Sequence, residues 1–304
     1  PDRTPKPALE EVKKVHQFID FDLAANKRAH IEIKNNYHFT NLNEFEFKWE
    51  LLANGKKKSS GELIDFDLQP GQKIQIHLPE MDTLSSEEEL ILMVSAYSKN
   101  VDGLVPQGHN VAWEQFILNS VEPDSFKISD KLVTLKESES NITVNAGLVD
   151  LIFDKSDGTL NELVIDNENI LYNGKGFTPN FWRAPIDNDF GNDMHKRTKD
   201  WRYVSKHRIL SMLRSDLDEQ GNANIYLTYA LFNVSKQKMA DFFMHYKING
   251  EGNILVNCKL EKTDGNWAET PRVGLNIELT RQMDELTWYG RGPFESYWDR
   301  KTGA

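Results

Sequence analysis

Over much of this chain apolar and polar residues alternate one for one. Phe45, Phe47, Trp49 and Leu51 interleave with Glu44, Glu46, Lys48 and Glu50. Side chains of a strand point alternately to its two faces, so this run predicts a half-buried strand with its rings in a core. Asn54-Gly55 follows as a turn. Shorter alternations occupy Ile31–Phe39 and Ile74–Leu78, and Val111–Leu118 closes the set. Leu90–Tyr97 is apolar on both faces and predicts a central strand. Ahead of them all, Pro5–Phe18 reads as a short helix, with Pro7 in its first turn and Leu9, Val12, Val15 and His16 near one face.

The two-residue period returns beyond Val121. Leu148–Phe153 and Leu160–Ile165 flank Asp157-Gly158 and predict a hairpin. Further strands are predicted over Ile225–Phe232, Asp241–Ile248, Ile254–Leu260 and Val273–Leu279, with a turn at Asn249-Gly250. Between Asn173 and Tyr203 the period fails, and Gly174, Gly176, Pro179, Pro185 and Gly191 stand beside Phe181, Trp182, Phe190 and Trp201. A long irregular segment in a compact domain is usually functional or disordered, and bulky aromatics argue against disorder. Many short strands without a long helix predict an all-β chain. Residues 1–19 read as a linker helix, 20–120 as an immunoglobulin-like β-sandwich without its inter-sheet cysteine pair, and 121–304 as a second all-β region.

Charge and cysteine content narrow the function. The 304 residues carry 47 acidic and 36 basic side chains, a formal charge of −11. Nucleic-acid grooves depend on clustered Lys and Arg, so no nucleic-acid partner is expected. No apolar run approaches the roughly 18 residues of a membrane span, so no membrane partner is expected either. The single Cys258 excludes an internal disulfide, and within Ile254–Leu260 it reads as a packed small side chain. The chain begins at Pro1 and stops at Ala304 in a stretch rich in Trp, Tyr and Gly, and reads as part of a longer protein.

Two motifs could carry chemistry. The first runs Asn180-Phe181-Trp182-Arg183-Ala184-Pro185-Ile186-Asp187-Asn188-Asp189-Phe190-Gly191. Rings that stack on sugar C–H faces and Asx groups that bond hydroxyls would suit a sugar pocket. The same residues would also make an irregular turn whose Asp and Asn bond their own backbone while Trp182 fills the core. Asp187 and Asp189 are a weak pattern for a metal. In the functional reading Asp187, Asn188, Asp189, Phe190 and Gly191 form a substrate loop, stiffened at entry by Pro185 and pivoting at Gly191. The second motif runs from Trp288 to Arg300. Arg291, Glu295, Asp299 and Arg300 could form a fixed ion-pair network, or Glu295, desolvated by Tyr297 and Trp298, could act as an acid. The His residues lack ligand spacing. Asn141-Ile142-Thr143 and Asn233-Val234-Ser235 match the glycosylation pattern, which is common by chance.

Together these motifs resemble the C-terminal half of the long bacterial β-galactosidases of glycoside hydrolase family 2. Phe181-Trp182-Arg183-Ala184-Pro185-Ile186-Asp187-Asn188-Asp189 looks like that family's signature at the start of its last domain. Gly292-Pro293-Phe294-Glu295-Ser296-Tyr297-Trp298-Asp299-Arg300 resembles a second signature. Pro271-Arg272-Val273-Gly274, the run from Gly108-His109 to Ala112-Trp113-Glu114-Gln115-Phe116, and Asp2-Arg3-Thr4-Pro5 with Pro7-Ala8-Leu9 are similar to three further runs, in family order.

The resemblance implies an immunoglobulin-like domain followed by part of the galactose-mutarotase-like sandwich called the β-galactosidase small chain, truncated at its C-terminus. Trp182, Arg183, Pro185, Glu295, Tyr297, Asp299 and Arg300 would be its structural signature. It implies a β-galactoside substrate, with the two catalytic glutamates and the Mg2+ and Na+ ligands in a barrel domain that precedes these residues. This stretch would then hold no catalytic residue and no metal, and would hydrolyse nothing by itself. A homo-oligomer, and a bacterial cytoplasmic or periplasmic location, stay open. Two other readings compete: a stand-alone carbohydrate-binding or adhesion module of two β-sandwiches, and an aldose epimerase, for which no His–Glu acid–base pair can be assigned.

Overall fold

The computed structural model describes residues 5–24, 30–63, 66–78, 88–121, 126, 129–298 and 300–303. Strands hold 46% of the chain against 9% in helices, which makes it nearly all-β, and the sheets pair antiparallel. It divides into two compact units, one formed by 1–123 with 287–304 and the other by 124–286. No helix among the described residues is long and apolar enough to cross a membrane.

The first unit opens with helix α1, Ala8–Val15, within the predicted span. Its apolar side chains Leu9, Val12 and Val15 are exposed, and Lys14 is the one buried at 5%. Seven strands follow: β1 (Ile19–Leu23), β2 (His30–Asn35), β3 (Phe45–Ala53), β4 (Lys56–Glu62), β5 (Lys73–His77), β6 (Leu90–Ser98) and β7 (Asn110–Asn119). They form a three-stranded sheet in the order β1-β2-β5 and a four-stranded sheet in the order β4-β3-β6-β7.

Phe45, Phe47, Trp49 and Leu51 of β3 are buried, with exposures falling from 9% to 1%, as their alternation predicts. They join Ile19, Phe21, Ile31 and Ile33 from the other sheet in one core. β6 lies inside its sheet, between β3 and β7. The β3–β4 hairpin turns on Asn54 and Gly55 at φ +47° and +74°. Positive φ at both central residues matches the twist of the flanking strands, and Gly accepts it without steric cost.

The second unit pairs β8 (Thr134–Glu137), β9 (Asn141–Ala146), β10 (Val149–Asp154), β11 (Leu160–Ile165) and β12 (Glu168–Asn169) into one sheet. A second sheet holds β14 (Arg208–Leu217), β15 (Ala223–Phe232), β16 (Lys238–Ile248) and β17 (Ile254–Lys262) in that order. Between them Val144, Leu151 and Phe153 share a core with Leu227, Phe242 and Tyr246. A two-stranded ribbon joins β13 (Thr178–Asn180) to β18 (Gly274–Asn276).

The aperiodic stretch from Asn173 to Tyr203 is more regular than its sequence predicts. It contains β13, two short helices, α2 (Asp187–Gly191) and α3 (Met194–Arg197), and a 3-10 turn over Lys199–Arg202. Elements of one turn are too short to display a period, so only their anchors, the buried Phe181, Met194 and Trp201, reveal them. Cys258 also departs from expectation. It is exposed on β17, which borders the sheet and has a neighbour on one side only.

Candidate functional site

The site is built on Phe181. This ring is fully buried, meets Phe242 edge-on at 5.4 Å and lies 5.8 Å from Trp201. The next residue, Trp182, is half-buried against the same core, and its backbone N–H donates to the Asn180 side chain at 3.1 Å. Burying successive aromatics fixes where the chain leaves the core and so where Arg183 begins.

Arg183 then closes the turn. Its Nη2 donates to Asp189 Oδ1 at 2.8 Å, and Nη1 donates to Oδ2 of the same carboxylate. The backbone N–H of Ile186 adds a third bond to Asp189 Oδ2 at 2.8 Å. Asp189 is 6% exposed, yet the hydrogen bonds from Arg183 outweigh burial and, with that from Ile186, hold its carboxyl below the usual range. A two-pronged guanidinium–carboxylate pair sets orientation as well as charge, so the segment between residues 183 and 189 has one geometry. With both oxygens engaged, Asp189 offers little to a cation, and the Asp187–Asp189 metal pattern loses one of its two carboxylates.

The apex of the turn faces water. Asp187, Asn188, Phe190 and Gly191 are exposed. Phe190 rests against the His195 ring at 4.8 Å. One feature of the expected loop is corrected. The segment Asp187–Gly191 is helical, because the Asp189 side chain returns to the Ile186 N–H at the start of α2. Gly191 lacks a positive φ, and a Cβ added to it would meet nothing within 4 Å.

The second motif falls in the other compact unit. Arg300 pairs with Glu295 at 2.9 Å, and its guanidinium sits 5.1 Å from the Tyr297 ring. Arg291 donates instead to the Lys301 carbonyl at 2.8 Å. Asp299 lies outside the described residues. Glu295 is not desolvated: its side chain is half exposed, Tyr297 is 49% and Trp298 91% exposed. The aromatic cover that the acid reading of Glu295 requires is not formed by Tyr297 and Trp298. Of the two glycosylation patterns, Asn233 is buried and its side chain bonds Gln237.

Sequence reasoning missed the partners that hold α3. Arg197 pairs with Glu269, and Trp201 Nε1 donates to the Ala268 carbonyl at 3.1 Å. These residues lie 72 and 67 positions apart, and no local pattern announces them.

A family relationship accounts for both units. Residues 145–304 match the β-galactosidase small chain family and residues 31–119 match domain 4 of β-galactosidase, so the chain belongs to the β-galactosidase small chain family. It is also similar over its full length to the β-galactosidase of Priestia megaterium (strain DSM 319 / IMG 1521), with 29% identity over 305 residues. The chain spans 29% of that relative's length.

Proposed function

We propose that this chain is the non-catalytic C-terminal part of a retaining β-galactosidase that hydrolyses terminal β-D-galactosides. In this reading it supports and completes an active site whose catalytic carboxylates lie in a barrel domain, together with the Mg2+ and Na+ sites. Residues 1–19 would lead out of the barrel, and 121–304 would begin a mutarotase-like sandwich. The observation that carries the proposal is the Arg183–Asp189 turn. An ion pair to the buried Asp189 fixes its base, while Asp187, Asn188 and Phe190 are exposed at the apex. Such a turn can present hydroxyl-bonding groups and a ring to a sugar held by another domain.

A retaining mechanism needs an acid and a nucleophile about 5–5.5 Å apart across the glycosidic bond, and neither is assigned to this chain. The 304-residue polypeptide should therefore release only background product from a chromogenic β-galactoside. The full-length protein should turn it over with retention of anomeric configuration. Sustained hydrolysis by the purified 304-residue chain, or an inverted product from the full-length enzyme, would sink the proposal.

A further inference from the structure

The second unit contains a cavity of about 390 Å³ between the 3-10 turn at Lys199–Arg202 and the segment that follows β17. None of the motif residues described above lines it. Its size falls in the range of small-molecule sites, roughly 300–1,000 Å³.

The wall is aromatic and rigid. Trp267 lines the cavity with its Nε1 donated to the Thr263 hydroxyl at 3.0 Å. Gly265 lets the chain pass tightly behind the ring, since a Cβ there would lie 2.6 Å from that same Nε1. Trp201 is buried, and its Nε1 is likewise spent on the Ala268 carbonyl. Both indole N–H groups are thus satisfied internally, and the partly exposed Trp267 ring, backed by the buried Trp201, offers apolar surface in a position fixed before any ligand arrives. Surface that is already ordered costs little further entropy on binding.

The polar groups have a different character. Asp200 and Asn266 line the same cavity, and among the described residues neither side chain has a hydrogen-bond partner. The Arg197 and Glu269 charges at the edge neutralise each other. An apolar wall facing a carboxylate and an amide suits a ring with C–H on one face and hydroxyls around its rim. The carboxylate accepts from two hydroxyls, and the amide both donates and accepts. Asp200 makes no ion pair among the described residues and repels an anionic ligand, while the nearby Lys262 ammonium is held on the Ala268 carbonyl at 3.1 Å.

The geometry points to an accessory binding site for one neutral aldose unit, with Trp267 as the platform and Asp200 and Asn266 as the hydroxyl-bonding pair. It stands on the cavity alone and holds whether or not a barrel completes a separate active site.

The experiment is a fluorescence and calorimetric titration of the 304-residue chain with D-galactose, D-glucose and D-mannose, and with D-galacturonate as the anionic counterpart. At least one neutral hexose should bind saturably, and galacturonate at least about tenfold more weakly. Trp267→Ala should weaken the neutral sugar by about tenfold or more. Asn266→Ala, at an exposed side chain, should weaken it without lowering Tm and so covers the case in which Trp267→Ala does not fold. Asp200→Asn should remove the discrimination against galacturonate. The inference is overturned if no neutral hexose binds up to ~100 mM, if galacturonate binds equally well to the parent, or if Asn266→Ala leaves affinity unchanged. It is also overturned if Ca2+ alone occupies the cavity and excludes the sugars.

Discussion

The two motifs are made from the same kinds of residue, and the structure treats them in opposite ways. Around Arg183 an aromatic pair, a guanidinium and a buried carboxylate form a doubly hydrogen-bonded clasp. Around Arg300 the same ingredients form a single bond to a carboxylate that stays half exposed, in a run with a Trp that is 91% exposed. The difference lies beneath them. Phe181 enters a closed core between two sheets and draws Asp189 out of water, whereas Glu295 keeps its hydration. A carboxylate–guanidinium pair becomes a positioning device only when its surroundings exclude water and the remaining lone pairs are satisfied.

The sharpest way to break the contrast is to remove the foundation of the first motif. Phe181→Ala should destabilise the second unit by about 3–5 kcal/mol, the usual cost of truncating a buried aromatic, measured by urea or thermal unfolding. A loss under about 1 kcal/mol would mean that the ring is not the anchor. Asp189→Asn comes next. It keeps the volume but loses the charge-assisted bonds from Arg183, at a cost of about 1–3 kcal/mol.

The same carboxylate predicts a pH dependence. Its pKa is lowered in the folded state, so its contribution is fully present above the unfolded value of about 3.9 and is lost as pH falls through the folded value. Stability of the parent should therefore fall more steeply below about pH 4 than that of Asp189→Asn. Parallel acid titrations by circular dichroism would check it, and superimposable curves would deny the clasp its role.

The exposed motif should respond far less. Glu295→Gln should change stability by no more than about 0.5 kcal/mol, because a half-exposed ion pair gains little over its hydrated partners. Smallest of all, Gly191→Ala should be accepted with a change within about 0.5 kcal/mol, since its Cβ has open space and its backbone is not strained. A large loss at either position would erase the distinction between a supported turn and a surface one.

Period-two alternation determined which strands exist and which faces they bury, because strand side chains alternate regardless of what they later touch. Phe45, Phe47, Trp49 and Leu51 show it, and the Asn54-Gly55 turn was legible because few other residues tolerate positive φ. Strand β14 was not legible: Ser211, Arg214 and Asp216 interrupt its pattern at a border of the sheet. The motif around Arg183 could be located from its residue types, but not the choice between a sugar-facing loop and a self-bonded turn.

Tertiary structure decided which of its side chains are covered: Asp189 is buried, while Asp187, Asn188 and Phe190 lie in solvent. It also inverted α1. Lys14 is covered because its ammonium finds the Trp113 carbonyl, the Glu114 carboxylate at 2.8 Å and the Trp113 ring at 5.4 Å, while Leu9, Val12 and Val15 stay exposed. A sequence records which side chains can pay for burial; which of them do depends on partners brought together from distant positions, such as Lys14 and Glu114 or Arg197 and Glu269.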